Sequence, residues 1–139
     1  MKRGGFEVKE TLAITKALAD ENRLRIIMMV KDNEACVCQI VEVLGNASST
    51  VSKHLSILKY AGLVDCYKQG RWIYYHLPQE RSKAVSAAIR WVVESLEDSI
   101  VIQKDRVKSR CVCEQEPEEL IKIQRDHKGD NENEKTRNI

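Results

Sequence analysis

At 139 residues, 42% hydrophobic and 32% charged, the chain has material for one modest domain with some tail to spare. Its formal charge of +2 excludes a bulk polycation, no apolar run is long enough to span a bilayer, and the opening MKRGGFEVKE lacks the apolar segment of a signal peptide. A cytoplasmic protein with five reduced cysteines is therefore expected, and two Cys-x-Cys pairs among those five need a reason.

In chain order, Phe6 to Ala19 predicts an amphipathic helix with Leu12, Ala13, Ala17 and Leu18 as its stripe. Asp20 is positioned to cap a nearly apolar helix over Glu21 to Val30, in which Met28 and Met29 read as core filler. After the polar turn KDNEA, the spacing predicts a short apolar helix over Cys36 to Leu44. The turn LGNAS leads from it into a second helix, Ser48 to Tyr60, stopped by Gly62. Val51, Leu55 and Leu58 give that helix a buried side. Ser48, Ser49, Thr50, Ser52, Lys53 and His54 give it a face of short hydrogen-bonders and cations without a carboxylate, suited to phosphates and base edges. This is the pattern of a helix-turn-helix that presents its second helix to DNA.

Beyond Gly62 the period shortens. LVDCYK and RWIYYHL, separated by Gln69-Gly70, predict a β-hairpin with Lys68, Gln69 and Arg71 near its tip, placed like the wing of a winged helix. Its aromatic residues are expected to pack mostly on the helices, and Cys66 to be core. From Ser48 to His76 four cations face Asp65 alone, whereas from Glu114 onward eight acids outnumber five bases. Pro78 ends the hairpin. Gln79 to about Arg110 predicts one long helix whose seam of Val85, Ile89, Val92, Leu96 and Ile100 suits a partner helix, with packing on its own domain as the alternative. Residues 1–110 thus form a mainly α domain with a β-hairpin wing, a winged helix-turn-helix dimerising through its terminal helices. Residues 111–139 form an acidic, Cys-containing, flexible tail, with a short helix after Pro117 and disorder over the last dozen residues.

KALADENRLRII, ACVCQIVEVLGNASSTVSKHLSILKYAGLV and YKQGRWIYYHL together resemble the ArsR/SmtB family of metal-responsive winged-helix repressors over roughly Thr11 to Pro78. The resemblance implies a homodimer that binds a double-stranded, inverted-repeat operator and leaves it when metal binds. It assigns groove contacts to Ser48, Ser49, Thr50, Ser52, Lys53 and His54, and a wing cation to Arg71. ACVCQI is similar to the ELCVC box of the arsenic-sensing branch, which makes Cys36 and Cys38 candidate ligands for As(III) or Sb(III). The family's usual third cysteine is replaced here by Val41, and the family's other site, built from His and carboxylates on the long helix, has no histidine between Gln79 and Arg110.

Trivalent arsenic prefers three thiolates, with a lone pair in the fourth direction. Cys36 and Cys38 stand at a helix start, where free N–H groups favour thiolates. Residues two apart on an intact helix point to different sides, so joint ligation is expected to unwind the first turn. Cys111 and Cys113 offer a third thiolate, from the same chain or across the dimer. All four sulfurs together would suit Cd, Pb or Zn, and an independent exposed pair is the remaining alternative. No nucleophile–base pair or phosphate loop suggests an enzyme. The alternatives are a thiol-redox-responsive repressor of the same fold and a soft-metal carrier.

Overall fold

The computed structural model describes residues 7–137, with side chains for residues 7–128, so Phe6 lies outside the described residues. The first helix, α1 (Val8–Leu18), buries Ile14 and Ala17. Asp20 then caps α2 (Glu21–Asp32), its Oδ1 accepting from the backbone N–H groups of Asn22 and Arg23 at 2.9 and 3.2 Å. The helix-turn-helix consists of α3 (Val37–Leu44) and α4 (Ser48–Tyr60). Gly45 ends α3 at φ 74°, a left-handed conformation that costs glycine little and most other residues much more. Val51, Leu55 and Leu58 are fully buried and bind α4 to the core. Burial of side chains of this size is worth about 1.5–3 kcal/mol each.

The wing is the antiparallel pair β2 (Asp65–Gln69) and β3 (Trp72–His76), closed by Gly70-Arg71. Gly70 has φ 62°, and among the described residues only glycines have positive φ, so the loop carries its left-handed residue in the first position, as a type II′ hairpin does. A strand that the sequence pattern does not reveal completes the sheet. The two-residue β1 (Ala35–Cys36) pairs with β3, Ala35 opposite Tyr75 and Cys36 opposite Tyr74, giving the order β1-β3-β2. Tyr67 stacks on Tyr74 with centroids 5.8 Å apart, and its hydroxyl donates to Glu34, so one wing ring packs within the sheet and not on a helix.

The predicted long helix is two. α5 (Lys83–Leu96) stops at Glu97-Asp98-Ser99, and α6 (Ile100–Cys113) turns back onto α2 and α3. The Ser99 N–H donates to Leu96 O at 3.0 Å, and the Gln103 side chain takes up the Glu97 carbonyl at 2.8 Å. Turn-favouring Asp and Ser, with these bonds to otherwise free backbone groups, account for the break. The return lets α6 bury Ile102, Asp105 and Val112. Val85, Ile89 and Val92 lie in the chain's own core, so these seam residues are not free for a partner, while Ile100 is exposed.

The sequence boundary at residue 110 falls inside α6, and the segment expected as a flexible tail continues as α7 (Pro117–Arg137). Pro117 in the first turn costs no hydrogen bond, and Glu118 and Glu119 suit the positive end of the helix. Leu120 is fully buried, and α7 packs on α3. Of the last dozen residues, expected to be disordered, the backbone is helical to Arg137; residues 138 and 139 lie outside the described residues. Among the described residues no helix is long and apolar enough to cross a membrane.

Candidate nucleic-acid interface and thiol pair

The N-cap of α4 is Ala47, which has no side chain to offer the first turn, so Ser48, Ser49 and Thr50 occupy the first three helical positions instead of capping. Their side chains are exposed, as are Ser52 and Lys53, and the orphan N–H groups of the turn stay available to an anion. His54 differs from these. Its side chain is 12% exposed; Nδ1 accepts from Arg23 Nη1 at 3.1 Å, and Nε2 lies 4.0 Å from Asp20. An acceptor Nδ1 places the ring proton on Nε2, toward Asp20. His54 therefore braces the start of α2 against α4 in place of presenting itself outward with its neighbours.

On the wing, Lys68, Gln69 and Arg71 are exposed. Arg71 stands over the Trp72 ring at 5.9 Å and pairs with Glu118 of α7 at 3.3 Å. With the two side chains 75% and 65% exposed, solvent screens the pair, and it holds Arg71 only loosely.

Cys36 and Cys38 are almost fully buried, and their sulfurs are 2.7 Å apart. No unwinding was needed to bring them together. Cys36 precedes α3 in an extended conformation, φ −84° and ψ 166°, while Cys38 lies in the first turn. The helical geometry that separates residues two apart thus does not apply, because one of the two is a strand residue. The side-chain Oε1 of Gln39 accepts from the Cys36 N–H at 3.0 Å, fixing this entry into the helix. The Cys36 thiol is lowered to about 7, first by the hydrogen bond from Cys38 and then by backbone N–H groups at the helix start. Cys38 is pushed up, because it supplies the shared proton and is buried beside the developing negative charge. The shared proton eases ionisation of one sulfur and resists ionisation of the second.

Cys111 and Cys113 are exposed at the end of α6. Cys113 borders a cleft with Gln39 and Tyr74, yet among the described residues no group of three or more His, Cys, Asp and Glu side chains is assembled as a metal site. Within one chain, the second pair does not complete the first. Cys66 is only partly buried, and Lys59 Nζ donates to its sulfur at 3.2 Å, which corrects the core role expected for it.

Sequence reasoning missed two neighbours of the thiol pair. One is β1 itself, through which Cys36 joins the wing ladder. The other is Gln124 of α7, whose Nε2 donates to Cys38 O at 3.0 Å and to Glu42 at 3.2 Å. Gln124 carried no local signal. The apolar spacing of Leu120 and Ile121 in α7 was the available hint.

Comparison with known proteins agrees with this fold. A family profile described as bacterial regulatory protein, arsR family, matches residues 20–65. The chain is 38% identical over 77 residues to the cadmium resistance transcriptional regulatory protein CadC of Listeria innocua, covering 55% of this chain and 65% of that protein's length. It is 33% identical over 91 residues to the arsenical resistance operon repressor of Escherichia coli, covering 62% of this chain and 78% of that protein. Among solved structures, the homodimeric winged helix-turn-helix DNA-binding domain of a possible ArsR-family regulator from Mycobacterium bovis is similar. Its TM-score is 0.54 at 28% identity, over 66% of this chain and 81% of that one.

Proposed function

From the premise that this chain belongs to the bacterial ArsR family of transcriptional regulators, we propose that it is a metalloid-responsive repressor. It binds operator DNA as a homodimer and releases it when As(III) or Sb(III) is taken up by Cys36 and Cys38. The observation that carries this reading is the position of the two sulfurs, 2.7 Å apart across the junction of β1 and α3. Cys36 is laddered to the wing strand β3, and Cys38 belongs to the helix that supports α4. An ion held by both sulfurs ties the wing to the reading helix and fixes their relative pose, the pose on which simultaneous groove and backbone contacts depend. By linkage, DNA then weakens ion binding by the same factor, in the usual range of about 1–3 kcal/mol.

Ser48, Ser49, Thr50, Ser52 and Lys53 are the proposed groove and phosphate contacts, with Lys68, Gln69 and Arg71 on the wing; His54 sets the angle of α4. Lys53→Ala should weaken binding to all sequences alike and reduce the slope of log affinity against log salt by about 1. Titrations of duplex DNA at a series of salt concentrations measure this, and an unchanged slope would remove Lys53 from the interface. The dimer is supported by apolar side chains left exposed on two packed helices: Val8 (72%) and Leu12 (48%) on α1, and Trp91 (62%) on α5.

The direct test is arsenite-driven release of fluorescent operator DNA under reducing conditions, for the wild type, Cys36→Ser/Cys38→Ser and Cys111→Ser/Cys113→Ser. Release abolished in the first double variant and retained in the second is the expected result. Loss in both would mean that sulfurs from two chains build one site. Response only to cadmium, lead or zinc would move the inducer to those ions. Response only to an oxidant would favour the thiol-redox reading, which the closeness of the two sulfurs also supports.

A further inference from the structure

Trivalent arsenic takes three substituents, and within one chain the structure offers it two sulfurs. What stands beside them is space. A cavity of about 240 Å³ opens next to Cys36 and Cys38, walled by Val37, Trp72, Ile73 and Ile121, with Gln124 and Arg71 among its polar lining. The cysteines are 1% and 6% exposed whereas Ile73 is 44% exposed, so the sulfurs lie at the inner end and the wing residues at the outer. Four elements build it: the junction of β1 and α3, the wing, the first residue of α4, Ser48, and α7, which contributes Ile121 and Gln124. An apolar cavity of about 150 Å³ already accommodates benzene.

Resting on the metalloid reading above, we propose that this cavity receives the organic substituent of a monosubstituted trivalent arsenical, R–As(OH)₂, and that Ile121 of α7 determines which substituents fit. The carbon-bound group fills the third valence of arsenic, so two thiols suffice. Each sulfur replaces one hydroxide on arsenic. The two thiol protons leave with the two hydroxides as two waters, giving R–As(S-Cys36)(S-Cys38). Arsenic stays trivalent, and nothing is oxidised or reduced. One cysteine displaces the first hydroxide and its neighbour, 2.7 Å away, closes the chelate, each thiol proton leaving with the hydroxide that its sulfur replaces. The substituent then lies against Trp72, Ile73 and Ile121 and gains apolar burial that an inorganic hydroxide cannot.

The experiment uses the full chain with a monothiol-free phosphine reductant and three probes: phenylarsonous, methylarsonous and arsenous acids. Binding is read from the fluorescence of Trp72 in a Trp91→Phe background, and native mass spectrometry counts the waters lost. Phenylarsonous acid should bind about tenfold or more tighter than arsenous acid, with loss of two waters, and Cys111→Ser/Cys113→Ser should leave its affinity in place. Ile121→Phe, which narrows the cavity and leaves Trp72 the single tryptophan, should lower the phenyl-to-methyl affinity ratio by about tenfold while the circular dichroism and melting of the protein stay native. Equal binding of arsenous and phenylarsonous acids, or a ratio indifferent to Ile121→Phe, overturns this proposal and leaves the metalloid reading standing. Failure of all three probes to bind overturns both.

Discussion

Asp105→Ala is expected to lower the unfolding free energy by about 3 kcal/mol and the melting temperature by about 10 °C. Asp105 is the buried acid of α6, and Arg25 of α2 meets it with two parallel bonds, Nε to Oδ2 at 2.8 Å and Nη2 to Oδ1 at 2.9 Å. The side chains are 18% and 10% exposed, so solvent does little to screen them. The bidentate contact raises the Arg25 guanidinium further above its ordinary value, against the opposing effect of burial. Removing the carboxylate leaves a buried cation with one remaining side-chain partner, Asn22 Oδ1 at 3.2 Å. Breaking a buried pair from one side typically costs about 3–5 kcal/mol. The low end applies because a cavity of about 350 Å³ borders both residues and can admit water to the stranded guanidinium. Replacing both partners by apolar residues, Arg25→Met with Asp105→Leu, should recover most of the loss. Urea unfolding of the wild type and the two variants decides the matter: a loss below about 1 kcal/mol for Asp105→Ala would mean that α6 is not fastened to α2 through this pair.

The reading helix was legible because everything that defines it is local. Val51, Leu55 and Leu58 mark its buried side, the turn before it carries Gly45, and the predicted bounds Ser48 to Tyr60 coincide with α4. The wing was legible for the same reason, through alternation and Gly70. What was not legible depends on distant partners. A two-residue strand such as β1 exists only because Tyr74 and Tyr75 lie opposite it, and no propensity within Ala35-Cys36 announces that. Reading Cys36 as helical therefore turned the two sulfurs apart, where the extended backbone turns them together. The seam from Val85 to Ile100 fitted a partner helix as well as its own core, because periodicity reports burial and not what does the burying. Arg25 and Asp105 are 80 positions apart and individually ordinary. The candidate ligands were thus found by residue type and spacing, and their cavity only by the fold that closes α7 over them.

That closure gives the second large effect. Leu120→Ala should loosen α7 from α3 and make Cys36 and Cys38 react with a thiol reagent roughly thirtyfold faster under native conditions. Leu120 of α7 is fully buried, and truncating such a leucine costs about 2–5 kcal/mol. The other described links of α7 to the body are the half-buried Ile121 and polar contacts, Gln124 to Cys38 O and Glu42 and the exposed Glu118–Arg71 pair. Most of the cost should therefore appear as easier local opening of α7, at tenfold per 1.4 kcal/mol, and less as global instability. Leu58→Ala supplies the contrast. It removes an equally buried leucine from α4, so it should lower global stability by a comparable amount while the thiols stay protected until the domain unfolds. Labelling is read in a Cys66→Ser/Cys111→Ser/Cys113→Ser background, so that only the buried pair reports. If the two variants accelerate labelling equally, α7 opens only with the whole domain and the cavity has no separate door. If Leu120→Ala alone does so, access of an inducer to the sulfurs is governed by α7, a helix that the sequence presented as an acidic tail.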